Sequence, residues 1–200
     1  MDGVLRLCGI EPRQHSPVLY ALATDNQAID ERLDRRGVRG RRIAVFCPLT
    51  RWPTKNWPLS EFVDLVKKLP EDFFVIFTGT ASEQALISEA MARLAPTRAA
   101  SFAGCLSLSE YFALVSIAQL VVTGDSLPMH VASAYNRPLV ALFGPTDESR
   151  VAPRSEGSVV VRADTDCHRC YRRSYCPRNC IGRITVAQVG QAIDEVLGAH

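Results

Sequence analysis

In the stretch VVTGDSLPMHVASA, Val121 to Ala134, three side chains could do chemistry: Asp125, Ser126 and, one helical turn on, His130. A Ser nucleophile needs a base that a third group holds in line. Downstream of Gly124 the only such candidates are Asp166–Cys167–His168 and the terminal His200. Asp125 adjoins Ser126 in sequence and is poorly placed to orient His130 against it. A lone GDSL tetrapeptide is therefore weak support for an esterase. The other reading is a strand turning into a helix, whose free N–H groups and dipole attract an anion. Ser126 adds a hydroxyl donor, and His130 reaches the same side of the ligand. Asp125 would repel a phosphate, which leaves it to sugar hydroxyls or to capping the helix. The bland alternative makes Asp125 or Ser126 a plain N-cap and His130 a core residue.

Other loops supply matching chemistry. CPLTRWPTKNWP carries Thr50, Arg51, Thr54 and Lys55. Lys55 is one of three lysines, and the other two, Lys67 and Lys68, fall on a helix surface. A cation at the end of a strand suits a diphosphate. Glu83 completes a capping box with Thr80 and is also able to accept hydrogen bonds from a ribose. Cys167, Cys170, Cys176 and Cys180 give C-x2-C-x5-C-x3-C. Four thiolates suit structural zinc, with His168 as a substitute ligand, although the central spacing is short for a zinc ribbon. The competing reading is a reduced, loop-rich segment. Six arginines lie between Arg162 and Arg183 and form either a solvated face or a contact for phosphate and acidic lipid.

These residues need elements to position them. RIAVFC, FFVIFTG, RAASFAG, LVVTG and PLVALFG are short apolar runs that read as buried strands. Between them lie helical stripes: Phe62, Leu65, Val66 and Leu69; Ile87, Ala90, Met91 and Leu94; Leu108, Tyr111, Phe112 and Val115. Ser107 and Glu110 form a second capping box, Pro128 suits a first helical turn, and a last helix over 185–197 starts at Thr185 with Gln188. Alternating strands and helices predict an α/β fold, a Rossmann-like parallel sheet with helices on both faces. In such sheets ligands sit beyond the carboxyl ends of the strands. That rule selects the loops after Cys47, Thr78, Phe102 and Thr123, and brings Thr78 and Gly79 into the site. Residues 1–40 differ: SPVLYAL reads as a strand, Asn26 to Arg36 as a charged helix and RRGVRGRR as a linker, the tail of something upstream. Residues 41–200 read as one complete domain, with the Cys-rich segment 162–183 inside it.

Of 200 residues, 47% are hydrophobic and 22% charged, an ordinary globular composition, and the net charge of +2 is too small to call for nucleic acid. No apolar run reaches the ~18 residues of a membrane span. The start MDGVLRLCGIEPRQH lacks a signal-peptide pattern. The expected location is therefore the cytoplasm, where structural disulfides are rare, and Cys8, Cys47 and Cys105 read as buried small hydrophobes.

TKNWPLSEF, FTGTASE, FAGCLSLSEYFALVSIAQLVVTGDSLPMHVASA and PLVALFGPTDESRVAP, in this order over Arg42 to Leu197, resemble the C-terminal domain of glycosyltransferase family 9, the lipopolysaccharide heptosyltransferases. CHRCYRRSYCPRNCIGRI is similar to a Cys-containing segment of many members. The resemblance implies the C-terminal half of a GT-B fold, binding a nucleotide-sugar donor such as ADP-heptose. It implies inverting transfer to a lipopolysaccharide core with no cofactor required for catalysis, at the inner-membrane periphery. It puts Thr50 and Lys55 at the diphosphate, Glu83 at the nucleoside, Gly104, Ser107 and Leu108 beside the base, and Asp125, Ser126, Leu127 and His130 at the diphosphate and sugar. Lys55 and Asp125 are then the residues closest to catalysis. Leu127 stands where the family usually has Gly, narrowing access to the backbone amides. Asn56 replaces a usual Arg or His. The family's N-terminal acceptor domain, with the Asp that serves as general base, is expected to be missing apart from its last strand and helix in residues 1–40, which makes a separate acceptor domain an expected partner. A truncated non-catalytic nucleotide-binding or interaction module is the alternative.

Overall fold

The structure, a computed structural model, describes residues 7, 19–38, 40–163, 165–167 and 169–198. Six strands, β1 (Arg42–Cys47), β2 (Phe73–Phe77), β3 (Ala99–Ser101), β4 (Leu120–Gly124), β5 (Leu139–Phe143) and β6 (Ser158–Arg162), form one sheet in the order β3-β2-β1-β4-β5-β6. Every pairing is parallel; Val45, for example, lies opposite Ile76 on one side and Val121 on the other. Burial on both faces explains the unbroken apolar runs: every residue of β2, β4 and β5 is buried.

Alternation along the strands divides the core in two. Ala44, Phe46, Phe73, Val75 and Phe77 face one layer, built from α2 (Leu59–Lys68), α3 (Gln84–Met91) and α7 (Val186–Gly198). Ile43, Val45, Cys47, Phe74 and Ile76 face the other, built from α1 (Ala23–Arg35), α4 (Leu108–Ser116) and α5 (Leu127–Ala134). The predicted Phe62–Leu65–Val66–Leu69 stripe is buried throughout. Thr185 and Gln188 cap α7 reciprocally, at 2.9 and 3.2 Å.

Several expectations change. Residues 19–22 form no strand and lead into α1, which begins at Ala23; the rest of SPVLYAL lies outside the described residues. Ile29 and Leu33 of α1 are buried on the sheet, and Arg32 pairs with Glu110 at 3.0 Å. The RRGVRGRR stretch is tied down as well: Arg41 donates to the backbone carbonyls of Thr97, Glu71 and Phe73. On α4 the buried face is Ala113, Leu114 and Val115, while Leu108 is 58% exposed, because the helix starts at the rim of the sheet rather than over it. Strand β6 and the four-residue α6 (Glu148–Val151) were not expected. The VVV run of β6 is only partly buried at the sheet edge and offers no long apolar pattern. Cys47 is buried as expected, Cys105 is exposed in a loop, and Cys8 lies outside the described residues.

Trp57 fastens the loop after β1 to the C-terminal part of the chain. It is 1% exposed, meets Phe62 edge-on at 5.0 Å, and donates from Nε1 to the carbonyl of Ile184 at 2.8 Å. Trp57→Phe keeps most of the ring and strands that carbonyl, so urea denaturation should show a loss of about 1–3 kcal/mol.

Candidate functional site

The order of the sheet reverses between β1 and β4, and both strands feed loops into the crevice above that point. The loop after β1 is braced from within. Asn56 accepts from the Thr50 N–H at 2.8 Å, and the Thr50 hydroxyl donates to Trp52 O at 3.0 Å. The 3-10 turn Pro53–Lys55 then aims Lys55 back at β4. Gly124 permits that approach, since a Cβ there would sit 2.9 Å from the Lys55 carbonyl.

Lys55 Nζ lies 2.6 Å from Asp125 Oδ2 and 3.1 Å from the Asp125 carbonyl oxygen, and both side chains are largely buried. Asp125 is therefore neither the helix cap nor an unpaired acid. Ser126 holds the N-cap position of α5 with extended backbone, yet no side chain caps the helix; its hydroxyl turns to Gly124 O at 3.4 Å. The plain N-cap reading thus fails for both residues. At the start of α5 Pro128 has no N–H and the Met129 N–H is taken by Ser126 O at 3.1 Å, so the Leu127 N–H beside the cavity is what the helix start offers an anion.

Beside this helix start lies a cavity of about 550 Å³, whose walls come from all four loops selected by the strand-end rule. It brings together Thr50, Thr78, Gly79, Glu83, Ser107, Leu108, Ser126 and Leu127 of the expected site residues. Gly104 supports it from behind: its φ is +70°, and a Cβ there would meet Ala81 Cα at 2.9 Å, which keeps two loops in contact. Lys55, Asp125 and His130 do not line the cavity. His130 is exposed on α5 and so is not a core residue. Glu83 lies in the wall, but its carboxylate accepts from the Thr80 N–H at 2.7 Å and so serves the capping box.

The cavity also shows residues that the spacing did not single out. Cys47 bonds Thr78 Oγ1 at 3.1 Å and Tyr111 Oη at 3.5 Å. Burial is the main cause that pushes the Cys47 thiol up, and burial followed by the neighbouring sulfur pushes Tyr111 well up. Both groups stay neutral at ordinary pH. With Phe102, Leu106 and Leu108 they give one wall that is largely apolar, while Thr50, Arg51 and Ser126 give a polar one. The i, i+3 spacing of Leu108 and Tyr111 was the available signal; it read as core because a cavity wall and a core face share the same periodicity.

The Cys-rich segment packs against the back of the Lys55 loop. The Thr54 hydroxyl donates to Arg172 O, and the Tyr171 N–H to Pro145 O at 3.0 Å. Cys170, Cys176 and Cys180 line a second cavity, of about 370 Å³, with Thr54 and Pro145. Burial, then neighbouring sulfurs, hold the Cys180 thiol up. All six described cysteines are free, and among the described residues no three His, Cys, Asp or Glu side chains converge as metal ligands. His168 lies outside the described residues. The arrangement of side chains therefore adds nothing to the zinc reading. Among the described residues no helix is long and apolar enough to cross a membrane.

A profile of glycosyltransferase family 9 (heptosyltransferase) matches residues 7–180. Lipopolysaccharide heptosyltransferase 2 of Escherichia coli (strain K12) is 36% identical over 134 residues, 64% of this chain and 38% of that protein. Lipooligosaccharide heptosyltransferase 2 of Haemophilus influenzae is 30% identical over 159 residues, 76% of this chain and 43% of that protein. The chain thus spans less than half the length of these curated relatives. The structure of Escherichia coli ADP-heptose lps heptosyltransferase II superposes with a TM-score of 0.76 at 26% identity, covering 92% of this chain and 54% of that one. A family 9 glycosyltransferase from Veillonella parvula shares the fold at a TM-score of 0.83 and 19% identity, over 99% of this chain and 59% of that one.

Two outcomes test the geometry. Lys55→Met leaves a buried carboxylate without its partner and should cost about 3 kcal/mol in urea denaturation, much of it regained in Lys55→Met/Asp125→Leu. A thiol reagent at pH 8 should label exposed Cys105 and Cys170 in the native chain but reach Cys47 only on unfolding; native labelling of Cys47 would show an open cavity floor.

Proposed function

This chain belongs to glycosyltransferase family 9, and on that premise we propose that residues 41–200 bind the nucleotide-sugar donor of an inverting transfer to a lipopolysaccharide core. The observation that carries the reading is the cavity at the reversal of strand order, with an apolar wall on one side and an uncapped helix start on the other. The donor is of the ADP-heptose type. Its base lies between Leu106, Leu108 and Tyr111, its ribose near Glu83, and its diphosphate at the start of α5, by the Leu127 N–H, with the hydroxyls of Thr50 and Ser126.

In this reading the donor's anomeric carbon sits beyond the diphosphate, towards Asp125 and His130, which orient the sugar. As the acceptor hydroxyl attacks, the bond to the diphosphate breaks and negative charge grows on the leaving oxygens. Fixed N–H dipoles and the Lys55 ammonium stabilise that charge. Asp125 holds Lys55 in place until the ligand arrives. The helix start and lysine supply this without a metal or other cofactor. Residues 1–40 are the remnant of an acceptor domain, and a separate acceptor domain completes the cleft and brings the general base, with the assembly at the inner face of the membrane.

One observation favours the second reading, a nucleotide-binding or interaction module without transfer. Leu127 is 52% exposed in the cavity wall, next to the amides that a diphosphate must approach. Donor binding separates the two from a chain that has lost its ligand.

Ser126→Asp is the sharpest probe. A carboxylate at the N-cap favours the helix, so the free chain should unfold at the same or higher temperature. The same charge opposes a diphosphate, and ADP affinity by calorimetry should fall about tenfold or more. With ADP at ~100 times its Kd, the unaltered chain should gain about 2.7 kcal/mol of stability. No gain at any concentration, or equal affinity in Ser126→Asp, removes the donor-site assignment.

A further inference from the structure

The six arginines of 162–183 are not equivalent. Arg162 pairs with Glu148 at 2.8 Å, and Arg169 with Asp147 at 2.7 Å and Glu148 at 3.2 Å. Those two are consumed by the fold. Arg172 and Arg173 are exposed and, among the described residues, have no carboxylate within 4.0 Å. The same holds for Arg51, across the loop and in the cavity wall.

Their placement is fixed by the backbone. Thr54 Oγ1 bonds the carbonyls of both Arg172 and Arg173, the latter at 3.3 Å. Arg169 and Tyr171, on either side of Cys170, hold the left-handed conformation, with φ of 47° and 52°. Non-glycine residues keep such backbone only where surrounding contacts impose it. Trp52 is the shared platform. The Arg173 guanidinium carbon lies 4.7 Å from its ring centroid and Lys55 Nζ 4.3 Å from it, so the two cationic heads are no more than 9 Å apart. Lys55 is already neutralised by Asp125, whereas the arginines are not.

We propose that Arg173 on the Trp52 ring, its neighbour Arg172, and Arg51 of the adjoining cavity wall form a second anion subsite beside the donor cavity, taking a phosphate or carboxylate carried by the acceptor saccharide. A planar guanidinium fork binds either group in bidentate fashion, and the indole face keeps Arg173 extended. A saccharide anchored there places its hydroxyls over Asp125, where the donor's sugar is assigned. The inference rests on the donor assignment for its meaning, but the subsite itself stands on residues outside that cavity apart from Arg51.

The test is the indole N–H resonance of Trp52 in 15N-labelled chain, with and without saturating ADP. The probes are glucose 6-phosphate, glucuronate and neutral glucose. The sugar phosphate, the sugar acid or both should move the Trp52 signal, and the relative affinities tell phosphate from carboxylate as the natural group. Glucose should not move it. In Arg172→Gln/Arg173→Gln the affinity should fall about tenfold or more. The Trp57 signal, from a buried indole bonded to Ile184, should stay put and certifies the fold. No shift with either anion, or an equal shift in the variant, overturns the subsite. ADP binding that fails while the anion shift survives removes the donor assignment and leaves the subsite; the converse leaves the donor assignment alone.

Discussion

The salt bridge between Lys55 and Asp125 joins the loops on the two sides of the sheet's reversal point. A parallel sheet delivers every strand's carboxyl end to one edge, but it does not say how the loops there should meet. Here they meet through a single pair of opposite charges at 2.6 Å, let in by the missing side chain of Gly124. Sequestered from water, neither charge is tolerable alone, so the contact fixes both loops at once. It also sets the direction of α5, which begins two residues after Asp125 with no side-chain cap.

The cavity follows from that geometry. Its apolar side comes from the second layer of the core, where Cys47, Phe102 and Tyr111 are continuous with the packing under α4. Its polar side comes from loops anchored by backbone bonds. A ligand with a flat ring at one end and an anion at the other matches the division. The Cys-rich segment has a supporting part in this arrangement. It closes over the outer side of the Lys55 loop through Thr54 and Pro145, and so contributes to the site's shape without reaching the cavity.

Much of this was legible in the sequence. Five of the six strands announced themselves as apolar runs, because double-sided burial leaves no polar alternation to confuse the reading. The strand-end rule chose the four loops that line the cavity. What stayed hidden was side-chain pairing. Lys55 and Asp125 are 70 residues apart, and nothing in either loop says that they meet. Tyr111 read only as core, since helical periodicity marks a buried face whatever covers it. His130, one turn from Ser126, is exposed on α5, which its spacing alone did not distinguish from a core position. β6 was missed as a half-covered edge strand, where burial and therefore pattern are weak.

The central claim is that the crevice at the reversal point holds a nucleoside diphosphate. Amide chemical shifts of the labelled chain during an ADP titration test it most directly, since they locate the ligand as well as detect it. The account predicts saturable shifts concentrated at Thr50, Gly79, Ser107 and Ser126, with the α7 face silent. Shifts spread over the surface, or centred on the Cys-lined cavity instead, would contradict it.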